Sequence, residues 1–129
     1  MDPTQLPFQT MGIPDAPSYI APDGSEIRLL PEMNGGGLAH CRLPLGRISK
    51  AVKHRTVEEI WFVLEGKGRI WLKQEGDGEV VELHWGISVT IPVGTKFQFR
   101  NDGDGPLNIL IVTMPPWPKP EAMPVEGVW

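Results

Sequence analysis

Cysteine is nearly absent from the sequence. The chain has one cysteine, Cys41, among 129 residues, so no disulfide can form within it. Secreted domains of this size often depend on disulfides for stability, because their hydrophobic cores are small. A single cysteine therefore favours a reducing, cytoplasmic location.

Long apolar runs and excess positive charge are also missing. The longest apolar runs, IWFVL and ILIV, are far too short to cross a bilayer. The first residues, MDPTQLPFQT, lack the basic segment and apolar run of a signal peptide. The net charge is −4, which argues against attraction to nucleic acid or to an anionic membrane. We expect neither as a partner.

Helical periodicity is the third absence, and short β-rich runs take its place. Turn signals recur every eight to twelve residues, as in an all-β sandwich or barrel. The turn EGKG, between IWFVL and RIWL, predicts a hairpin. The predicted strands are Glu26–Leu30, Gly37–Leu43, Ile48–His54, Glu59–Leu64, Arg69–Lys73, Glu79–Leu83, Ser88–Ile91, Lys96–Arg100 and Leu107–Met114.

The two ends of the chain are richer in proline than its middle. The tail PPWPKPEAMPVEGVW holds five prolines, so it cannot supply a central strand. We predict one domain over residues 1–129, with a barrel core at about 26–114. The terminal segments are expected to wrap over the barrel or a partner subunit, with Trp117 and Trp129 as apolar anchors.

Alternate residues of a strand share one face, and this predicts an interior pocket. On three of the predicted strands the shared faces carry a histidine, a glutamate and several aromatic rings. An apolar cavity with a few polar groups is typical of a small-molecule site. The expected pocket residues are Lys50, Val52, His54, Glu59, Trp61, Phe97 and Phe99.

Two glycine-bounded motifs follow one another along the chain. In the first, Gly46 is followed by Val52 after five residues, by His54 and Glu59, and by Gly66 six residues later. This spacing resembles the first motif of the cupin superfamily, G-x5-H-x-H-x4-E-x6-G. His54 stands at the second histidine of that motif and Glu59 at its glutamate. Val52 stands at the first histidine.

The second motif supports the same resemblance. Gly86 is followed by Pro92 after five residues, then by Gly94, Phe97 and Asn101. This resembles the second cupin motif, G-x5-P-x-G-x2-H-x3-N, with Phe97 at the histidine position. The resemblance covers roughly residues 38–114. It implies an all-β, cupin-like jelly-roll β-barrel, or double-stranded β-helix, that is usually dimeric.

In the cupin family, the motif histidines and glutamate hold a divalent metal. Val52 and Phe97 have no lone pair to offer, so two of the four implied ligands are missing here. We therefore predict a pocket without metal or other cofactor. His40, Cys41 and His84 are the side chains that could still complete a metal site.

Three functions follow from these residues, in order of preference. The first is a small-molecule binding protein, with an organic ligand in the apolar barrel and no metal. The second is a metal-independent isomerase, epimerase or lyase in which His54 and Glu59 act as acid and base. The third is an oxygenase-like metallo-cupin with a reduced ligand set. A homodimer is expected in each case.

Overall fold

The computed structural model describes residues 5–117 and 122–129. Within these residues the chain forms strands and no helix. No segment of the described part could therefore cross a membrane as a helix. The strands are β1 (Tyr19–Ile20), β2 (Glu26–Glu32), β3 (Gly37–Leu43), β4 (Val52–His54), β5 (Glu58–Glu65), β6 (Gly68–Lys73), β7 (Glu79–Leu83), β8 (Ser88–Ile91), β9 (Lys96–Asn101), β10 (Leu107–Met114) and β11 (Ala122–Pro124).

The strands form two antiparallel sheets. The six-stranded sheet has the order β1-β2-β3-β10-β5-β8, and the five-stranded sheet has the order β11-β4-β9-β6-β7. The chain passes repeatedly from one sheet to the other, so neighbouring strands are often distant in sequence. This is a jelly-roll arrangement, and it confirms the predicted all-β, double-stranded β-helix fold.

The prediction of a hairpin at EGKG is wrong. Strand β5 pairs with β10 and β8, whereas β6 pairs with β7 and β9 in the other sheet. The turn therefore carries the chain across the barrel. Gly66 has φ of +95°, and a Cβ there would lie 2.5 Å from the carbonyl oxygen of Pro106. Glycine is needed at this crossing, both for the backbone conformation and for the close approach.

The predicted strand Ile48–His54 is also wrong over its first half. Ile48 makes an isolated bridge to Arg100, and regular pairing with β9 begins only at Val52. Between them the backbone N–H of Lys50 donates to the carbonyl of Asp23 rather than to β9. The alternation of faces is interrupted there, so residues before and after the break do not share a face.

The core lies between the two sheets and consists of alternate residues of the strands. Strand β10 shows this alternation along its whole length, with every second side chain buried. The fully buried side chains include Trp61, Phe97 and Phe99. The rings of Phe97 and Phe99 each meet Trp61 edge to face, at centroid distances of 5.6 and 5.0 Å. Such pairs add to the stabilisation from burial alone.

The asparagine of the second motif closes a turn. Its side-chain amide, Asn101 Nδ2, donates to the carbonyls of Leu43 and Gly105, and its Oδ1 accepts from the N–H of Gly103. These bonds satisfy backbone groups of the NDGDG loop that would otherwise be buried without partners. The loop is thereby fixed to the end of β3.

Both terminal segments add an edge strand that the sequence did not predict. Strand β1 pairs with β2, and β11 pairs with β4 at the edge of the five-stranded sheet. An edge position agrees with the proline-rich composition of the tail. Trp117 packs against the core, and the guanidinium groups of Arg69 and Arg100 both lie over the ring of Trp129. Part of the tail, residues 118–121, lies outside the described residues.

Candidate functional site

A cavity of about 400 Å³ lies between the sheets. Its walls are largely apolar side chains, among them Ile27, Phe97 and Ile111. Cavities that bind small molecules commonly have this volume and a largely apolar lining. The polar and ionisable residues that line it are Tyr19, Asp23, Ser25, Glu32, Cys41, His54, Glu59 and Thr113.

Glu59 is the most highly bonded polar group of the cavity. Its side chain is almost completely buried. Oε1 accepts a hydrogen bond of 2.9 Å from the indole N–H of Trp61, and Oε2 accepts one of 2.7 Å from that of Trp117. His54 Nε2 lies 3.2 Å from Oε2. Two indole donors and the adjacent imidazole thus surround one carboxylate, and the hydrogen bonds compensate for the loss of its hydration.

The sequence could not reveal all of this arrangement. Trp61 lies two residues after Glu59 on β5, so strand alternation places both on one face. Trp117 comes from the proline-rich tail, and no spacing rule joins it to Glu59. The tail therefore completes the polar centre of the cavity, in addition to covering the barrel.

Val52 and Phe97 stand beside this centre. They are paired directly across β4 and β9, and each is only 2% exposed. The ring of Phe97 also stacks on His54, with centroids 5.6 Å apart. The two positions where the family carries histidine ligands are therefore adjacent, apolar and well packed.

The residues present do not fit a metal centre. His54 and Glu59 are the motif donors that remain, and both Glu59 oxygens already accept indole hydrogen bonds. Among residues 5–117 and 122–129, no three His, Cys, Asp or Glu side chains converge as a metal would require. A divalent transition metal normally needs at least three protein ligands.

The three side chains that were considered as additional ligands lie in different places. Cys41 faces inward and lines the cavity, whereas His40, its neighbour on β3, is buried on the other face of the sheet. His84 is exposed, in the turn before β8. Burial raises the pKa of the Cys41 thiol, so this side chain behaves as a small apolar group.

Of the seven expected pocket residues, five line the cavity. These are Val52, His54, Glu59, Trp61 and Phe97. Lys50 is exposed and does not line it, because the strand break before Val52 removes it from the inward face. Phe99 is fully buried behind Trp61 and is part of the core rather than of the cavity wall.

A second polar group of the cavity was missed by the sequence analysis. Tyr19 lies on β1, and Asp23 and Ser25 lie in the turn that leads to β2. Asp23 Oδ1 accepts hydrogen bonds from the backbone N–H and the hydroxyl of Ser25, at 2.9 and 2.6 Å. The segment APDGS resembles an ordinary turn, and nothing in its sequence indicates that it borders a cavity.

Burial changes the acidity of both ionisable groups in this region. It raises the pKa of Tyr19 to about 12, with a further contribution from the charge of Glu59, so the phenol keeps its proton. Burial also raises the pKa of Asp23, although the hydrogen bonds from Ser25 oppose the shift. The cavity therefore contains two buried carboxyl groups, Asp23 and Glu59, in different environments.

A double-stranded β-helix of two antiparallel sheets, with an interior site at its first motif, defines a class of small all-β proteins. The sequence model of the cupin domain matches residues 39–113. The uncharacterized protein MJ1618 of Methanocaldococcus jannaschii is 38% identical over an alignment of 104 residues, and the alignment covers 77% of this chain and 80% of the relative. The chain belongs to the cupin domain family.

Solved structures agree on the fold. A protein of Klebsiella pneumoniae with a double-stranded β-helix domain superposes with a TM-score of 0.65 at 18% identity, over 80% of this chain and 85% of its own. KdgF from a Halomonas species superposes with a TM-score of 0.63 at 15% identity, over 76% and 85%. At these identities the likeness extends to the fold alone.

Proposed function

We propose that this cupin binds a small organic molecule in the cavity between its sheets, without a metal. The observation that carries the proposal is the combination of a largely apolar cavity of about 400 Å³ with one fixed polar centre at Glu59 and His54. The apolar walls would supply most of the binding free energy through burial. The polar centre would orient the ligand.

The fixed geometry of the polar centre supports a binding role. Glu59 is held by the indole groups of Trp61 and Trp117, so its position is set before any ligand arrives. A preorganised site avoids part of the entropy cost of binding. A reducing, cytoplasmic location is part of the proposal, and the single buried thiol of Cys41 supports it.

The proposal is tested by filling the cavity. Ala39 faces the cavity from β3, so Ala39→Phe would place a ring inside it. We expect native mass spectrometry to find a small molecule on the purified wild-type protein, or isothermal titration to find binding of small aromatic probes. In Ala39→Phe both signals should fall at least tenfold.

The control variant is Val80→Phe, which adds the same ring at an exposed position of β7 in the five-stranded sheet, away from the cavity wall. It should bind as the wild type does. Equal binding by wild type and Ala39→Phe, with both folded by circular dichroism, would place the ligand elsewhere. No binding by any probe to the wild type would refute the proposed function.

A second candidate function is a metal-independent isomerase, epimerase or lyase. The contact of 3.2 Å between His54 Nε2 and Glu59 Oε2, at the edge of a cavity, is the observation that favours it. Since Glu59 already accepts two indole hydrogen bonds, its best role is to position the imidazole. His54 would then move the proton. Turnover that survives in His54→Ala would exclude this role.

A further inference from the structure

The charges that line the cavity are unbalanced. Asp23, Glu32 and Glu59 contribute carboxyl groups, and no lysine or arginine is among the described residues of the wall. His54 is the one side chain among those residues that could carry a positive charge, and it contacts Glu59. An anionic ligand would therefore enter a space with acidic groups and no cation to receive it.

The two buried carboxyl groups differ in their partners. Glu59 has His54 and two indole N–H groups. Asp23, which is 9% exposed, has the hydroxyl and backbone N–H of Ser25, both on the same oxygen. Within residues 5–117 and 122–129, no arginine or lysine forms an ion pair with it. Burial without a cation is costly for a carboxylate.

We propose that the cavity takes a small organic amine, with its ammonium group on Asp23 and its apolar body against Ile27, Phe97 and Ile111. This inference rests on the proposed function and names the class of ligand. An ammonium group would give Asp23 the opposite charge that the chain does not supply. Charge-assisted hydrogen bonds of this kind are among the strongest in proteins.

The surroundings of Asp23 favour a cation over a neutral donor. Burial raises the pKa of Asp23 most, the charge of Glu59 raises it further, and the charge of His54 lowers it. Tyr19 and Cys41 also face this region, and both hold their protons because burial raises the pKa of each. Neither can supply positive charge. A bound ammonium would lower the pKa of Asp23, and binding would strengthen as the pH rises through that pKa.

Three probes of one shape and different charge test the inference. They are phenethylamine, phenethyl alcohol and phenylacetate, titrated into the full-length protein by calorimetry, with amide NMR shifts to locate each probe. We expect the amine to bind at least tenfold more tightly than the alcohol, and the acid to bind most weakly. In Asp23→Asn the ratio of the amine affinity to the alcohol affinity should fall about tenfold.

The outcomes separate the two proposals. If the alcohol or the acid binds in the cavity as tightly as the amine, the amine inference is wrong and the binding function stands. If Asp23→Asn keeps the full preference for the amine, Asp23 is not the docking group and the inference is again wrong. If no probe shifts cavity amides in either protein, the binding function itself fails.

Discussion

At the scale of single residues, the cavity shows how similar groups acquire different roles. Glu59 and Asp23 are both buried carboxyls on one cavity, yet three side chains contact the Glu59 carboxyl whereas one neighbour, Ser25, bonds Asp23. A well-bonded carboxylate is a fixed structural charge. A buried carboxylate without a cation destabilises the fold, and a cationic ligand can reduce that cost.

Because its pKa is raised, Asp23 predicts a free energy of unfolding that falls, rather than rises, as the pH increases. Burial raises its pKa in the folded protein above the ordinary value of 3.8. The folded state then keeps the proton to higher pH than the unfolded state does. Ionisation of Asp23 consequently lowers the free energy of unfolding as the pH rises from about 3.8 to the folded pKa.

Replacing the carboxyl with an amide should remove this cost. Asn can still accept both hydrogen bonds from Ser25, so Asp23→Asn should be more stable than wild type at pH 7, by about 1 kcal/mol. At pH 3 the two proteins should unfold at the same urea concentration. Urea unfolding at both pH values measures this. A variant that is less stable at pH 7 would show that the Asp23 carboxylate is already compensated.

At the scale of strands, the sequence predicted most elements because alternation of apolar residues follows from burial of one strand face. Strands β3, β7, β8 and β10 have the predicted bounds. The failures lie where pairing depends on distant partners. Lys50 does not face inward, because its backbone N–H donates to the carbonyl of Asp23. No local sequence pattern contains this contact. EGKG has hairpin composition, yet its two strands belong to different sheets.

The C-terminal strap, defined as residues 122–129, pairs with β4 through β11, and one side chain binds its last two residues. Gln98 Nε2 donates to the carbonyls of Ser49 and Trp129, and its Oε1 accepts from the N–H groups of Val128 and Trp129. A Cβ on Gly127 would collide with this amide, so the chain passes close against it. One buried amide thus satisfies four polar groups of the backbone.

We expect Gln98→Ala to release the last two residues of the strap, Val128 and Trp129. The variant should lose about 2 kcal/mol of unfolding free energy, because buried backbone groups lose their partners. Amide hydrogen exchange at Val128 and Trp129 should accelerate at least tenfold. Gln74→Ala is the control, since Gln74 makes a single hydrogen bond to Thr95. Equal protection of the strap in wild type and Gln98→Ala would mean that ring contacts of Trp129 hold it instead.

At the scale of the whole molecule, the sequence located the centre of the cavity but not its extent. Motif spacing and strand alternation brought His54, Glu59 and Trp61 to one interior, and the cavity contains all three. The rest of the cavity wall includes residues of β1, of the turn after it and the tail residue Trp117. Those segments have little alternation, so their positions depend on the assembled fold.

The outer face of the six-stranded sheet is the second large-scale feature. Ile60 and Phe62 on β5 are 41% and 36% exposed, and Trp85, at 67%, meets the ring of Phe62 edge to face. Charges flank this apolar surface. The register places Asn108 of β10 between Arg42 on β3 and Glu65 on β5. Arg42 and Glu65 therefore lie at the same level along β10, one strand away on either side.

We propose that the protein is a homodimer that associates through this face. A twofold axis along β10 would place β3 of one copy over β5 of the other, so Arg42 would face the partner's Glu65, in two symmetric pairs. Arg42 Nε is buried and has no hydrogen-bond partner in the described part of the chain, so the pair with the partner's Glu65 would form at the other guanidinium nitrogens. The apolar side chains would supply the buried centre of the interface.

A charge swap tests this arrangement. Arg42→Glu alone and Glu65→Arg alone each create two like-charge contacts across the axis, so each should raise the dimer dissociation constant at least tenfold. The double variant restores opposite charges and should associate nearly as the wild type does. Sedimentation equilibrium measures all four proteins. A wild-type protein that sediments as a monomer would contradict the proposal. If the single variants stay dimeric, the interface lies on another face, because like charges could not meet on the proposed face without cost.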